Sequence, residues 1–173
     1  MRPIQIVTLS PLRDSRGSLT EIFRQEWVNS AIPVQWNCVQ SETNVLRGVH
    51  VHVKHVDYLV VLKGRMLVGV TDLREGGIGA GSIIELSEEN RSMLMVPQGV
   101  AHGFYFPEPT TFVYGVSEYW DPIHDEHGCR WDDPALGIPW PKAIAPLLSE
   151  RDEAACSLEE LLVTLRNEEH VSW

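Results

Sequence analysis

The sequence is poor in basic residues and has no apolar run long enough to cross a membrane. The 173-residue chain carries 14 Lys and Arg against 24 Asp and Glu, a net charge of −10. Such an acidic chain is a poor partner for nucleic acid or for anionic lipid. A membrane span needs about 20 apolar residues, and the short apolar start of the chain lacks the features of a signal peptide. We therefore expect a cytoplasmic protein that binds neither nucleic acid nor membrane.

Cysteine is scarce as well, and its distribution excludes two kinds of stabilising chemistry. Cys38, Cys129 and Cys156 are odd in number and widely separated. A disulfide-stapled fold uses a dense, even set of cysteines, and a thiolate zinc site uses closely spaced pairs. We interpret all three as ordinary reduced thiols in a chain with enough apolar residues, 43%, to bury a core.

Helical periodicity is missing from the first 145 residues. Glycines and prolines divide this part into short apolar segments. Two of these segments, 56–62 and 65–71, are rich in β-branched residues and meet at Gly64. The pattern is typical of antiparallel strands with tight turns, as in a β-sandwich or β-barrel. It predicts an all-β fold.

The C-terminal segment has a different character. Ser157 and Glu160 form a capping-box pattern, and leucines then recur with the spacing of one helix face. Residues 121–145 are rich in Pro, Trp and Asp, which is typical of a long irregular loop. We predict a single domain over residues 1–173, with this loop and one short helix at about 157–168.

Histidine is concentrated in two short stretches, and an acid and glycines accompany it at characteristic distances. If the first stretch is a strand, His50 and His52 point to the same face because side chains alternate. The full pattern is His50-x-His52, Asp57, Gly64 and later Pro97-x-Gly99-x-x-His102. It resembles the two motifs of the cupin superfamily, jelly-roll β-barrels in which three histidines and one acid converge on a metal ion. Imidazoles and a carboxylate suit iron, zinc, copper or nickel.

Eight further blocks follow one another through most of the chain. They are Asp14-Ser-Arg16-Gly17 with Glu21 and Phe23; Val45-Leu-Arg47-Gly48-Val-His50; Asp72-Leu-Arg74; Leu86-Ser87 with Asn90; Val96-Pro97 through Val100-Ala-His102-Gly103-Phe104; Tyr114 with Tyr119-Trp120; Trp131-Asp-Asp-Pro134 through Trp140-Pro141; and Leu148-Ser with Asp152. In this order they resemble the nucleotide-sugar 3,5-epimerase family, typified by dTDP-4-dehydrorhamnose 3,5-epimerase. That family has a cupin barrel and needs no metal.

The resemblance implies three catalytic residues. Epimerisation beside a 4-keto group needs a base, an acid on the opposite face of the sugar, and stabilisation of the enolate between the two steps. The family pattern implies that His50 is the base, Asp152 the carboxylate that orients its imidazole, and Tyr114 the acid. Tyr114 would share a strand face with Phe112 and Val116, so it can point into an apolar pocket.

The resemblance also implies a substrate and an assembly. The substrate would be a nucleotide-linked sugar, of the dTDP-4-keto-6-deoxy type, used in deoxysugar or surface-polysaccharide biosynthesis and inverted at C3, C5 or both. The implied substrate-binding residues are Arg16, Glu21, Gln40, Arg47, His102, Tyr119 and Trp120. Guanidinium groups suit the pyrophosphate. The assembly would be a homodimer in which an N-terminal strand of one subunit completes the other's site, with no metal or other cofactor.

Two positions depart from the family pattern. His52 stands where the family has Gln, and Asp57 stands where it has a Lys that helps to hold the enolate. A carboxylate opposes a developing negative charge. The same two residues complete the cupin metal pattern. Two other functions therefore remain open: a metal-dependent cupin isomerase or oxygenase that uses His50, His52, Asp57 and His102, and a non-catalytic cupin that binds sugar nucleotides.

Overall fold

A computed structural model describes residues 3–74, 78–121, 125, 127–142 and 144–167. Its regular elements are β1 (Gln5–Thr8), β2 (Leu12–Asp14), β3 (Gly17–Leu19), β4 (Gln35–Ser41), β5 (Val45–Val51), β6 (Asp57–Lys63), β7 (Arg65–Asp72), β8 (Ser82–Ser87), β9 (Ser92–Val96), β10 (Val100–Phe106), β11 (Thr110–Val116), β12 (His127–Gly128), α1 (Glu150–Glu153) and α2 (Leu158–Arg166). Short 3₁₀ turns lie at Gln25–Trp27 and Pro134–Leu136.

Ten of the strands form two five-stranded antiparallel sheets that pack face to face. The first sheet has the order β1-β9-β6-β11-β4, and the second has the order β12-β5-β10-β7-β8. Strands β2 and β3 form a separate hairpin. Chain neighbours such as β6 and β7 therefore lie in different sheets, as expected when a strand pair crosses from one layer of a sandwich to the other.

Strand β6 shows how alternating side chains build the layers. Leu59 and Val61 point between the sheets into the main core. Tyr58 and Val60 point outward, where a second apolar cluster covers them, so the strand is buried on both faces. A strand buried on both faces favours an unbroken apolar run over an alternating one. That is why residues 58–61 are all apolar or aromatic.

The turn between β6 and β7 depends on Gly64. This residue has φ of +81°, a conformation that L side chains rarely adopt. An added Cβ would lie 2.5 Å from the carbonyl oxygen of Pro109. Glycine therefore provides both the conformation and the space that the turn needs.

Helix α2 covers the outer face of the second sheet. Leu161, on its apolar side, packs in one cluster with Val49 and Val51 of β5. The hydroxyl of Ser157 accepts a hydrogen bond from the Glu160 amide, and the Glu160 carboxylate accepts one from the Ser157 amide. The expected capping box is thus present. The last position of the helix predicted at about 157–168 lies outside the described residues.

The other expectations from the sequence have mixed outcomes. The all-β prediction is confirmed, and the three cysteines are free thiols. The segment predicted as an irregular loop, 121–145, contains β12 and a 3₁₀ turn, and residues 122–124, 126 and 143 of it lie outside the described part. That the whole chain is one domain stays a prediction. In the described part of the chain, no helix has the length and apolar character of a membrane span.

Candidate functional site

A cavity of about 500 Å³ opens between the two sheets. This volume lies within the range of small-molecule sites. Its wall is largely apolar, and charged and polar groups converge at two places in it. The lining residues are Val39, Val45, Leu46, Arg47, His50, His52, Asp57, His102, Phe104, Phe112, Tyr114, Trp120, Leu147, Leu148, Ser149, Arg151 and Asp152.

The first polar group is a histidine–carboxylate pair from distant parts of the chain. His50 on β5 donates from Nε2 to Oδ1 of Asp152 on α1, at 2.8 Å. The other carboxylate oxygen of Asp152 accepts the Gly48 amide at 3.2 Å. Asp152 is buried, and although burial opposes its charge, the hydrogen bond from His50 holds the pKa of Asp152 below its usual range. The ionised carboxylate fixes the ring and leaves Nδ1 as the proton-accepting nitrogen.

The short helix α1 holds Asp152 in place. Ser149 is its N-cap, and the Ser149 hydroxyl accepts a hydrogen bond from the Asp152 amide. The preceding residue, Arg151, contacts Nε2 of His50, and its Nε lies 3.8 Å from the Asp152 carboxylate. The pair is therefore positioned by a helix cap on one side and accompanied by a guanidinium on the other.

The predicted acid lies across the cavity from the predicted base. Tyr114 is on β11 of the first sheet, whereas His50 is on β5 of the second. Its ring lies 6.2 Å from that of Phe112, which is fully buried. A sugar ring held between the sheets would present opposite faces to His50 and Tyr114.

Two more of the predicted binding residues line the same cavity. Arg47 donates from Nε to the Ser41 hydroxyl at 2.9 Å, which leaves the rest of its guanidinium at the cavity wall. Trp120 is half exposed, and its amide donates to the Gln35 side chain at 3.2 Å. The cavity wall therefore carries a cation, and beside Trp120 it is open to solvent.

The second polar group lies at the inner end of the cavity, and we call it the histidine floor. It consists of the buried residues His52, His55, Asp57 and His102. The Nε2 atoms of His52 and His102 lie 3.7 and 3.6 Å from Oδ2 of Asp57. His52 and His55 stack with ring centroids 3.9 Å apart.

Asp125 connects the histidine floor to the segment that follows Trp120. Its carboxylate accepts hydrogen bonds from the Val53 and Lys54 amides and from Nδ1 of His55, each within 3.0 Å. Its backbone carbonyl accepts Nδ1 of His52 at 2.7 Å. One residue thus orients two rings of the histidine floor.

Burial and neighbouring charges shift the pKa values in the histidine floor. Burial lowers the pKa of His102 to about 4, so its imidazole is neutral at pH 7. Burial also opposes charge on His55, but hydrogen bonds to Asp125 and Asp57 outweigh it and raise its pKa to about 9. Burial would raise the pKa of Asp57, yet the neighbouring histidines hold it well below its usual range. Asp57 is therefore an ionised carboxylate inside the cavity.

Four predicted substrate-binding residues lie outside the cavity of a single chain. Arg16, in the turn of the β2–β3 hairpin, pairs with Asp14 at 2.6 Å with most of its side chain exposed, and Glu21 pairs with Arg24 at 2.7 Å. Gln40 is exposed because alternation along β4 turns it away from its cavity-lining neighbour. Tyr119 is 74% exposed. The other predicted residues, His50, Asp152, Tyr114, Arg47, His102 and Trp120, are brought together.

The cavity also uses residues that sequence reasoning missed. Arg151 could have been found from the sequence, because it directly precedes the predicted catalytic residue Asp152. Asp125 had no such signal, because it lies 70 residues from His55 in a segment with no regular pattern. Only the fold brings these groups together.

Comparison with known proteins places this geometry in a family. The family model described as dTDP-4-dehydrorhamnose 3,5-epimerase matches residues 2–160. The chain belongs to the dTDP-4-dehydrorhamnose 3,5-epimerase family. It is 32% identical to the enzyme of that name from Sinorhizobium fredii, over 94% of this chain and 89% of the relative. It is 36% identical to the Pseudomonas aeruginosa enzyme, over 80% and 82%.

Solved structures of this epimerase family share the fold. The rmlC epimerase of Mycobacterium tuberculosis has a TM-score of 0.85 at 30% identity, covering 93% of this chain and 86% of that one. A Legionella pneumophila epimerase, solved with dTDP-4-keto-L-rhamnose, has a TM-score of 0.81 at 30% identity, covering 91% of each chain. ChmJ, a 3'-monoepimerase from Streptomyces bikiniensis solved with dTDP-quinovose, has a TM-score of 0.82 at 30% identity, covering 94% and 86%.

These findings confirm the main predictions from the sequence. The family resemblance is confirmed, and so is the cupin jelly-roll fold. An epimerase is an isomerase, so the predicted enzyme class is confirmed as well. Of the three functions left open by the sequence, the comparisons favour the epimerase. The roles of individual residues stay predictions.

Proposed function

We propose that this chain epimerises a dTDP-linked 4-keto-6-deoxy sugar at a carbon beside the keto group. The observation that carries the proposal is the placement of a histidine–carboxylate pair and a tyrosine on opposite sheets around one cavity. The relatives bear the name of this activity, and solved neighbours contain dTDP sugars. A product of this kind serves deoxysugar biosynthesis.

The reaction begins with removal of the proton on the carbon beside the keto group. His50 takes this proton at Nδ1 while Asp152, bonded to Nε2, stabilises the imidazolium. The electron pair moves to the keto oxygen and gives an enolate. Tyr114 then donates its phenolic proton to the opposite face of the same carbon, and the configuration inverts.

Binding energy for the nucleotide comes from cationic and aromatic groups of the cavity wall. Arg47 and Arg151 line the cavity and supply guanidinium groups that pair with a pyrophosphate. Trp120 offers a flat aromatic surface to the base or the sugar. These contacts hold the sugar between His50 and Tyr114, so that both proton transfers occur in one orientation.

A homodimer accounts for the residues that lie outside the single-chain cavity. Arg16 lies in the turn of the exposed β2–β3 hairpin and Glu21 follows the hairpin, whose Leu12 and Leu19 are more than half exposed. We propose that this hairpin packs against a second copy and contributes Arg16 and Glu21 to the partner's site. A cytoplasmic location stays a prediction.

The test is solvent exchange followed by NMR. A dTDP-4-keto-6-deoxyhexose is incubated with the protein in deuterium oxide, and deuterium incorporation is measured at C3 and C5. We expect incorporation by the natural chain, none by His50→Ala, and a strongly reduced yield of inverted product with Tyr114→Phe. Tyr105→Phe is the matched control, because its hydroxyl bonds Asn44 away from the cavity. Sugar binding without any exchange by the natural chain would contradict the proposal.

A further inference from the structure

Asp57 is a close neighbour of the residues that we propose to move protons at carbon. On the first sheet it pairs with Val116 of β11, two residues beyond Tyr114. Diagonal neighbours of this kind, on one face of a sheet, lie about 7–8 Å apart. On the second sheet His102 is the cross-strand partner of His50, and Nε2 of His102 lies 3.6 Å from Oδ2 of Asp57. Asp57 therefore lies beside both walls of the proposed reaction site.

The carboxylate of Asp57 has an oxygen that can accept further hydrogen bonds. Asp57 is 4% exposed and lines the cavity. The imidazole nitrogens of His52 and His102 that face Oδ2 lie 3.7 and 3.6 Å from it, beyond the roughly 2.7–3.2 Å of an N–H···O hydrogen bond. A buried carboxylate oxygen is stabilised by donors at bonding distance. A ligand that enters the cavity can supply such a donor.

The charge of Asp57 selects the kind of group that lies against it. Burial opposes this charge, yet the neighbouring histidines hold the pKa of Asp57 well below its usual range, so the group is a carboxylate at pH 7. An ionised carboxylate only accepts hydrogen bonds, so it attracts a hydroxyl group and repels the lone pairs of a keto oxygen. A 4-keto sugar carries a hydroxyl group at C3, next to the keto carbon. We expect this hydroxyl to donate to Oδ2 of Asp57.

We propose that the chain also moves the keto group of the sugar from C4 to C3, and that Asp57 transfers the hydroxyl proton that this shift requires. This further activity rests on the proposed function, because it starts from the enolate that His50 forms. It is a second reaction of the same substrate, and its product is a 3-keto sugar with a hydroxyl group at C4.

The keto shift is an isomerisation in which two protons change places. His50 removes the C3 proton, the electron pair left behind forms the C3–C4 double bond, and the carbonyl pair moves to O4. Asp57 then accepts the proton of O3 and delivers it to O4. The electron pair on O3 forms the C3 carbonyl, and the pair of the double bond takes the proton held by His50 at C4. Both residues return to their starting states, and no oxidant or other co-reactant is consumed.

The fate of the enolate decides between the two reactions. Protonation of C3 by Tyr114 inverts the configuration, whereas proton transfer from O3 to O4 by Asp57 leads to the keto shift. Negative charge on O4 is unfavourable near an ionised carboxylate, and the proton that Asp57 delivers there neutralises it. The keto shift returns the proton of His50 to carbon without Tyr114. The two reactions therefore need different residues after the first step.

The test locates the keto group after the reaction. A dTDP-4-keto-6-deoxyhexose is incubated with the full chain in ordinary water, and the sugar is then reduced with borodeuteride, which places deuterium on the carbon that carries the keto group. NMR distinguishes deuterium at C4, from the 4-keto sugar, from deuterium at C3, from the shifted product. We expect deuterium at both carbons with the natural chain and only at C4 with His50→Ala.

Substitutions of Asp57 and Tyr114 separate the two reactions. Asp57→Asn keeps the shape of the side chain but cannot carry the proton, so deuterium at C3 after reduction should fall by at least about 100-fold. Exchange of the C3 proton with deuterium oxide should continue in this variant. Tyr114→Phe should raise the ratio of shifted to inverted product, because it removes only the acid for inversion. This second variant leaves Asp57 intact, so it tests the keto shift even if Asp57→Asn does not fold.

Glu108→Gln, an exposed change between β10 and β11, is the matched control and should leave both reactions unchanged. Circular dichroism and thermal unfolding establish that each variant folds. Solvent exchange at C3 without deuterium at C3 after reduction would overturn the keto shift and leave the proposed function intact. Absence of both signals would overturn both proposals. An undiminished keto shift in folded Asp57→Asn would contradict the role of Asp57.

Discussion

Among single residues, Asp152 combines a structural and a chemical role. Its amide completes the cap of α1 through Ser149, and its carboxylate holds both the His50 ring and the Gly48 amide. The sequence alone favours an ordinary acid at a helix start. The structure shows that the helix start is the means by which the carboxylate reaches His50, 102 residues away. Asp152 is therefore both an acid at a helix start and the hydrogen-bond partner of His50.

Replacing Asp152 separates the two roles. Asp152→Asn keeps the backbone amide that bonds Ser149, but its amide group no longer carries the charge that stabilises a protonated His50. We expect deuterium exchange to slow by about 10²- to 10⁴-fold, the usual contribution of a positioned acid–base group. Glu150→Gln, an exposed change in the same helix, should leave exchange intact. Equal thermal midpoints with unequal exchange rates support the assignment, whereas equal exchange rates would remove Asp152 from the mechanism.

The candidate site was predictable where a motif is local. His50, His102, Tyr114 and Asp152 each stand in a recognisable block, and the cavity brings them together. Asp125 was not predictable, because its role depends on a contact across 70 residues and not on its neighbours in sequence.

Gln40 shows a second limit of prediction. A family pattern gives a residue its position in the strand, but the side of the sheet it faces follows from the alternation of β4, where Val39 faces the cavity. In a single chain Gln40 is exposed. The position of Gln40 in the strand and the side of the sheet that it faces are thus separate properties, and the family pattern predicted only the first.

At the level of elements, helix α2 is held mainly by its apolar side. A nine-residue helix is marginal by itself, so packing against β5 must supply most of its stability. The sequence predicted the helix and its cap because both depend on local spacing. It did not predict that Val49 and Val51, on either side of His50, would be the surface that α2 covers.

This packing predicts a contrast between two positions of the helix. Leu161 is 3% exposed and Val163 is 53% exposed. Leu161→Ala should lower the free energy of unfolding by about 2–5 kcal/mol, because it leaves a cavity against β5. Val163→Ala should change it by less than about 0.5 kcal/mol. Denaturant titration measures both, and similar losses at the two positions would show that burial does not stabilise α2.

For the whole molecule, the acidic net charge is an average over the surface, whereas the basic contacts of the site act only over short distances. The net charge of −10 describes the average surface, whereas Arg47 and Arg151 act locally in the cavity. An acidic protein can therefore bind a pyrophosphate. The predicted exclusion of long polyanions, which meet the whole surface, is compatible with that binding.

The proposed dimer predicts complementation between two inactive variants. In a mixed dimer of His50→Ala and Arg16→Ala chains, one site would combine an intact His50 with the partner's intact Arg16. The two variants are unfolded and refolded together, so that half of the dimers are mixed. Each mixed dimer has one complete site of two, and the mixture should therefore recover about a quarter of the natural activity. Light scattering should give a mass near twice 19.5 kDa. No recovery from dimers of that mass would place Arg16 in its own chain's site or in none.

Asp125 makes two distant segments depend on each other. Its carboxylate and carbonyl together hold the amides of Val53 and Lys54 and the rings of His52 and His55. Asp125 thus links, through hydrogen bonds, the stretch that carries Trp120 to the stretch that carries the histidines. Substitutions in either stretch will be epistatic with those in the other, because groups that share a bonding network do not contribute additively. We therefore expect sequence changes in one stretch to require compensating changes in the other.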